Sequence, residues 1–192
     1  MMTYDSRRYA LINRWNPRNL ELIRDWVKPK PGDRVLDVGC GRGHVVNALR
    51  QFGVEAEGID LNPNAAEVAV APHVQTMSAT KLDFGSASFD AVVSFHAIEH
   101  IPEVDAALAE MARVVKPDGK VLLVYPAEPI RGLYAIPTAV ILHRNPLRAR
   151  QVHVHKLNPR LVAEKVADVG LGTIRSQFRP WPSPEWATLC RK

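Results

Sequence analysis

Val35-Leu36-Asp37-Val38-Gly39-Cys40-Gly41-Arg42-Gly43-His44 is the stretch on which the reading of this chain turns. Val35 to Val38 predicts a short buried strand, and the three glycines that follow predict a tight turn. Val45 to Phe52 reads as the helix after the turn. Ala56 to Ile59 reads as a second strand, ending on Asp60. Together these make half of a nucleotide-binding βαβ unit: glycines expose bare backbone to a ligand, and a carboxylate waits at the tip of the next strand. The pattern alone leaves the nucleotide open.

The sign of the charge narrows the choice. A dinucleotide sets its pyrophosphate against such a turn and the helix N-terminus behind it, where the Asp37 carboxylate would repel it. A ligand that carries an ammonium and a sulfonium turns the same carboxylate into an attractive partner. The spacing Gly39-x-Gly41-x-Gly43 also departs from the G-x-G-x-x-G of dinucleotide sites. Asp60 suits a two-oxygen grip on the hydroxyls of a ribose. An adenosine-type ribose joined to a cationic amino-acid tail describes S-adenosylmethionine.

Residues 34 to about 125 resemble the cofactor half of the class I S-adenosylmethionine-dependent methyltransferases, most closely the small-molecule (type 11-like) kind with Glu-His after strand four. The pieces that carry the resemblance are the Val35–Gly43 run, Gly58-Ile59-Asp60, Phe89-Asp90-Ala91-Val92-Val93-Ser94, Glu99-His100 and Val115-Lys116-Pro117-Asp118-Gly119. Their order and spacing are the family's. The resemblance implies an α/β fold: a Rossmann-like, doubly wound, mostly parallel seven-stranded sheet with a reversed C-terminal β-hairpin. It implies a cofactor site built from Asp37, Gly39, Cys40, Gly41, Gly43, Asp60, Leu61, Ser78, Ala79, Ser94 and Phe95, holding S-adenosylmethionine and releasing S-adenosylhomocysteine. Leu61 would lie against the adenine, with core packing as its other reading. Ser78 stands where many relatives have an acid facing the adenine amino group, so that contact falls to a hydroxyl and the Ala79 backbone, with Asp83 as a substitute. The activity implied is methyl transfer to an oxygen or nitrogen of a small molecule. Methylation of RNA or protein, and cofactor binding or assembly without turnover, are the alternatives.

Composition fits this reading. The 192 residues suit one domain, and 46% hydrophobic with 23% charged residues is the make-up of a soluble globular chain. A net charge of +5 and a pI near 9.4 permit an anionic partner, but no Lys/Arg run is dense enough for a nucleic-acid arm, and nucleic acid is not an expected partner. Cys40 and Cys190 form neither a disulfide framework nor a zinc set, which suits a reducing, cytoplasmic setting. Met1 to Arg7 lacks the apolar core of a signal peptide. Nothing in the pattern reports an oligomeric state.

In chain order, residues 1–33 form an N-terminal helical lid and linker. Tyr4 to Val27 is helical and interrupted by Pro17, packing on the sheet or bringing Tyr9, Arg14 or Trp15 to the site. Residues 34–125 are the cofactor core. Asn62 caps a short helix from Asn64 to Ala71, with Pro63 at its first position. His73–Met77 and Asp90–Phe95 are strands three and four, a helix opened by Pro102-Glu103 runs through Val115, and Val121–Tyr125 is strand five. Residues 126–157 form an acceptor-side insertion. Its Gly132–Leu142 stretch is apolar, too short to span a bilayer and broken by Pro137. It either packs on the domain's own surface or walls an acceptor pocket suited to an apolar, lipid-like or aromatic substrate. Residues 158–192 supply a helix over Leu161–Val169, then β runs at Thr173–Phe178 and Trp186–Cys190.

Methyl transfer from a sulfonium needs alignment and dryness, and it needs a base only if the acceptor arrives protonated. Ligands in such sheets sit beyond the carboxyl ends of the strands. The imidazoles gather there: His100 and His96 after strand four and His153 before the last helix are the candidates for base or acceptor-positioning duty. No metal is expected. The alternative is a divalent ion on His96, Glu99, His100 and His153, since positions 96, 99 and 100 share one face of a helical turn.

Overall fold

The computed structural model describes residues 16–127, 154–180 and 183–192. Within them a seven-stranded sheet runs in the order β3-β2-β1-β4-β5-β7-β6. Its strands are β1 (Arg34–Val38), β2 (Glu55–Asp60), β3 (Val74–Thr76), β4 (Phe89–Phe95), β5 (Val115–Pro126), β6 (Gly172–Arg179) and β7 (Glu185–Arg191). The first five pair parallel with one another, and β7 runs antiparallel to both β5 and β6. This is the doubly wound sheet with a reversed terminal hairpin expected from the sequence. After β1 the chain winds outward through β2 and β3, then returns to place β4 on the other side of β1. The strand order therefore reverses between β1 and β4, where a parallel sheet opens a crevice at its carboxyl edge.

Both faces of the sheet are covered, as parallel strands require. On one side Leu36, Val38, Val92, Leu123 and Tyr125 pack against α4 (Val104–Val114) and α5 (Pro159–Asp168) through Leu108, Met111, Val162 and Val166. On the other, Val35, Ala91, Val93, Leu122 and Val124 meet α1 (Arg18–Leu22) and α2 (His44–Gln51) through Leu22, Val45, Val46 and Leu49. Neighbours in sequence alternate between the two cores, the period-two signature of a strand buried on both faces.

Several boundaries moved from the sequence expectation. The first described helix begins only after Pro17, and its last turn, Ile23–Val27, widens to a π-helix that Lys28 ends in the left-handed region (φ 58°). Trp15 and everything before it, with Tyr9 and Arg14, lie outside the described residues, as does most of the 126–157 insertion. Helix α3 (Pro63–Glu67) is shorter than expected but capped as expected: the Asn62 side chain accepts from the Asn64 N–H at 3.0 Å. Strand β5 starts at Val115 rather than Val121, because Val115 already pairs with Phe89 before a bulge leads to regular pairing from Lys120. The bulge turns on Asp118, whose φ is 62°. Helix α5 starts at Pro159 because Asn158 caps it, accepting from the Leu161 N–H at 3.0 Å.

Candidate functional site

The turn after β1 is held from below by β2. Both the Gly39 and Cys40 N–H groups donate to the Ile59 carbonyl, at 2.8 and 2.9 Å. Gly39, Gly41 and Gly43 all sit in the left-handed region, with φ of 77°, 51° and 76°. At Gly39 and Gly43 the protein itself also occupies the space a side chain would need. A Cβ on Gly39 would overlap the Ala97 Cβ, and one on Gly43 would press on Val74. These two glycines therefore serve close packing as well as the turn and the ligand access that the sequence suggested. Cys40 wedges under Gly58 in the same way, and burial pushes its thiol pKa up, so it is a packing group rather than a nucleophile.

Two carboxylates frame the turn. Asp37 is 3% exposed near the end of β1, and its carboxyl group accepts no hydrogen bond among the described residues. Burial, with the negative charge of Asp60 adding to it, pushes its carboxyl from 3.8 up to about 8. An ionised acid in that position lacks a cation. Asp60 is better satisfied: Oδ2 accepts from the Gly41 N–H at 2.8 Å and Oδ1 from the Asn62 N–H at 2.9 Å. Burial still raises its pKa, although these two bonds oppose it. Each oxygen has a second lone pair, so both can still accept from a ligand. Asp60 thus ties the turn to β2 and keeps capacity for hydroxyl groups.

The remaining expected cofactor residues divide. Leu61, directly after Asp60, is 71% exposed, which rules out the core-packing reading. The Ser78 hydroxyl is 2.8 Å from the Thr80 hydroxyl and accepts from the Thr80 N–H at 3.2 Å, so it shapes its own loop. Ala79 packs against the core beside it. Ser94 is fully buried and donates to the Val38 carbonyl at 2.9 Å, stitching β4 to β1. Its hydroxyl is spent inside the sheet and is not available to a ligand. Phe95 is half-buried against the α1–α2 side of the core. At the carboxyl ends of β1 and β2 the chain thus gathers a donorless buried carboxylate, a left-handed turn, a carboxylate with open lone pairs and an exposed leucine, a set whose charge and polarity suit S-adenosylmethionine.

Beyond β4 the chain bends at His96, whose φ of 54° is unusual for a residue with a Cβ and is held by its N–H donating to the Val124 carbonyl at 2.8 Å. A 3₁₀ turn, Ile98–His100, then brings Glu99 between two imidazoles. Glu99 Oε1 lies 3.6 Å from His96 Nδ1 and 3.8 Å from His100 Nε2. Glu99 is 1% exposed; burial would raise its pKa, but the flanking His96 and His100 hold it down to about 2. Its second oxygen, Oε2, is buried without a hydrogen-bond partner. His96 Nε2 points the other way and meets Glu185 Oε2 at 2.8 Å, and Glu185 Oε1 accepts from Arg179 Nη1 at 2.7 Å.

The structure thus brings His96, Glu99 and His100 together as the sequence suggested. His153 lies outside the described residues. Among the described residues no group of three or more His, Cys, Asp or Glu is arranged to hold a metal ion. His155 is structural: its N–H and that of Val154 donate to the Glu99 carbonyl, and its ring contacts the Ile101 and Pro102 carbonyls at 3.0 Å. Sequence reasoning missed Glu185 and Arg179, which come from the hairpin. The available signal was one acid at the head of an otherwise apolar β run. A depression at the opposite end of the sheet, lined by Lys28, Asp33, Asp90, Lys116 and Lys120, is internally paired: Lys116 bonds Asp90 at 2.8 Å and Lys120 donates to the Val27 carbonyl at 2.8 Å.

Comparison with known proteins agrees with this geometry. The ubiquinone biosynthesis O-methyltransferase of Xanthomonas axonopodis pv. citri is 32% identical over 138 residues, covering 59% of this chain and 56% of that protein. The chain thus spans little more than half the length of that relative. The protein of the same name from Bordetella avium is 29% identical over 168 residues, covering 81% and 69%. Among solved structures, Burkholderia thailandensis 1,6-didemethyltoxoflavin-N1-methyltransferase, with 1,6-didemethyltoxoflavin and S-adenosylhomocysteine bound, superposes with a TM-score of 0.68 at 18% identity, over 92% of this chain and 77% of that one. At that identity the likeness speaks for the fold. Residues 4–185 match the methyltransferase domain family, so the chain belongs to that family, with the fold of the class I S-adenosylmethionine-dependent methyltransferases.

Proposed function

We propose that this protein transfers a methyl group from S-adenosylmethionine to an oxygen or nitrogen of a small-molecule acceptor. The observation that carries the reading is Asp37: a buried carboxylate with no donor, at the mouth of a left-handed glycine turn, is a place for an organic cation and hostile to phosphate. In this reading Asp37 takes the ammonium of the cofactor's amino-acid tail, and Asp60 takes the ribose hydroxyls on its open lone pairs. Leu61 covers the adenine, and the Ser78-Ala79 backbone borders its edge. When bound, the cofactor supplies the electrophilic methyl carbon. The chain's own residues do the rest. The β1/β4 crevice aligns the reactants and excludes water, and His100 receives the proton of an acceptor that arrives protonated. Glu99 Oε2, ionised and lacking a donor, takes an N–H or O–H of the acceptor.

The relatives' names support a small-molecule acceptor, and the exposed Leu61 supports an apolar rim to the site. No helix among the described residues is long and apolar enough to cross a membrane. Two unpaired thiols, Cys40 and Cys190, support a reducing, cytoplasmic setting. The test has two parts. Calorimetry measures S-adenosylmethionine and NADH binding, and S-adenosylhomocysteine release is then followed with phenols, catechols, alkylamines and N-heterocycles. S-adenosylmethionine binding with turnover of one acceptor class is the expected result. Binding of NADH in place of S-adenosylmethionine would overturn the reading.

A further inference from the structure

We propose that Glu185 and Arg179, both from the C-terminal hairpin, are positioning residues that lock His96 with its Nε2–H turned into the protein, removing it from proton transfer and leaving His100 as the acceptor-side imidazole. The inference rests on the functional reading above and deepens it.

Sheet register brings the three residues together. Arg179 and Glu185 are cross-strand partners in β6 and β7, and Glu185 in turn opposes Pro126 at the end of β5. His96 follows β4, one strand further in. The contact between His96 and Glu185 spans 89 positions of sequence. Glu185 is 2% exposed and the Arg179 side chain 14%. With the Arg179 guanidinium at 2.7 Å from one oxygen, the Glu185 carboxylate is ionised and can only accept. The ring nitrogen 2.8 Å from its other oxygen must therefore carry a proton, which assigns the Nε2–H form to His96. The opposite nitrogen, Nδ1, faces another acceptor-only group, the Glu99 carboxylate, at 3.6 Å. With a carboxylate facing each nitrogen the ring holds its protons: the two anions favour the imidazolium, which has no free lone pair with which to take a proton from an acceptor.

The same contacts clamp the bend. His96 holds a left-handed φ of 54° between the Val124 carbonyl on β5 and Glu185 on β7. The turn it starts carries Glu99 and His100, so the hairpin sets where those two side chains sit. This gives the terminal β-hairpin a task in the site beyond closing the sheet.

The experiment is a long-range ¹H–¹⁵N spectrum of the full chain saturated with S-adenosylhomocysteine, with His96→Gln used to assign the resonance. In the wild type, His96 Nε2 is expected to be protonated, with a downfield proton in slow exchange. Glu185→Gln keeps the shape and removes the charge. Exchange of that proton is expected to speed up at least 10-fold, while S-adenosylhomocysteine affinity stays within about 2-fold, since the change is remote from Asp37 and Asp60. An unprotonated Nε2 in the wild type would overturn the proposal even if the variant fails to fold. So would a proton whose exchange is unmoved in folded Glu185→Gln. Loss of S-adenosylhomocysteine binding by the wild type would instead sink the functional reading, so the two failures are separable.

Discussion

Replacing Asp37 with asparagine should make the free protein more stable at neutral pH while making it a worse cofactor binder. The carboxyl titrates near 8 in the folded protein, against 3.8 for an ordinary aspartate. Its folded pKa is raised, so between these values the folded chain holds a proton that the unfolded chain has released. Stability is therefore fully present below about pH 4, falls as pH rises, and levels off above about 8. From 3.8 to 7 is roughly three units at about 1.4 kcal/mol each, a loss of about 4 kcal/mol by pH 7. Asparagine does not titrate. It brings a constant cost of about 1–3 kcal/mol for a buried amide without partners. The variant should then be less stable than wild type near pH 4.5 and more stable, by about 1–3 kcal/mol, near pH 7, with the curves crossing between. Asp60 adds its own slope to both proteins, so the difference curve isolates Asp37 and its coupling to Asp60. Urea unfolding at several pH values measures this directly. Calorimetry on the same samples should show S-adenosylmethionine affinity down by about 10- to 150-fold, for a lost charge-assisted hydrogen bond of about 1.5–3 kcal/mol. Parallel stability curves would refute the account of Asp37 as a buried acid awaiting a cation, as would unchanged affinity.

Other expectations follow from the same geometry. Asp60→Ala should weaken S-adenosylmethionine binding by about 1.5–3 kcal/mol and lower the Tm as well, because the Gly41 and Asn62 N–H groups lose their acceptor; a variant that binds as wild type does would misplace the ribose. Gly39→Ala should cost about 1–3 kcal/mol of stability, combining a φ of 77° with overlap on Ala97, and thermal unfolding without ligand reads it. Leu61→Ala should leave stability within about 0.5 kcal/mol, since the side chain is 71% exposed, yet weaken cofactor binding about 3- to 10-fold through lost apolar contact. Equal binding by calorimetry would remove Leu61 from the adenine face.

Sequence alone was enough for what depends on near neighbours. The strand–turn–strand unit with Asp37 and Asp60 is written within 26 positions, and turn chemistry, strand alternation and the Asn62 cap are each local in cause. The alternation of strands and helices prescribed a parallel sheet with both faces covered, and the split between the two hydrophobic cores follows from period-two alternation along each strand. Tertiary structure decided what depends on distant neighbours. Gly39 needs its bare backbone because Ala97 arrives there, and Ser94 spends its hydroxyl on Val38 because β4 lies beside β1. The acid at position 37 becomes a poised carboxylate only once burial and Asp60 surround it. Glu185 reaches His96 because β7 turns back antiparallel along β5, a register that no stretch of local sequence encodes. A carboxylate's chemistry is set by solvent exclusion and by the charges near it in space, and both come into being only when the chain has folded.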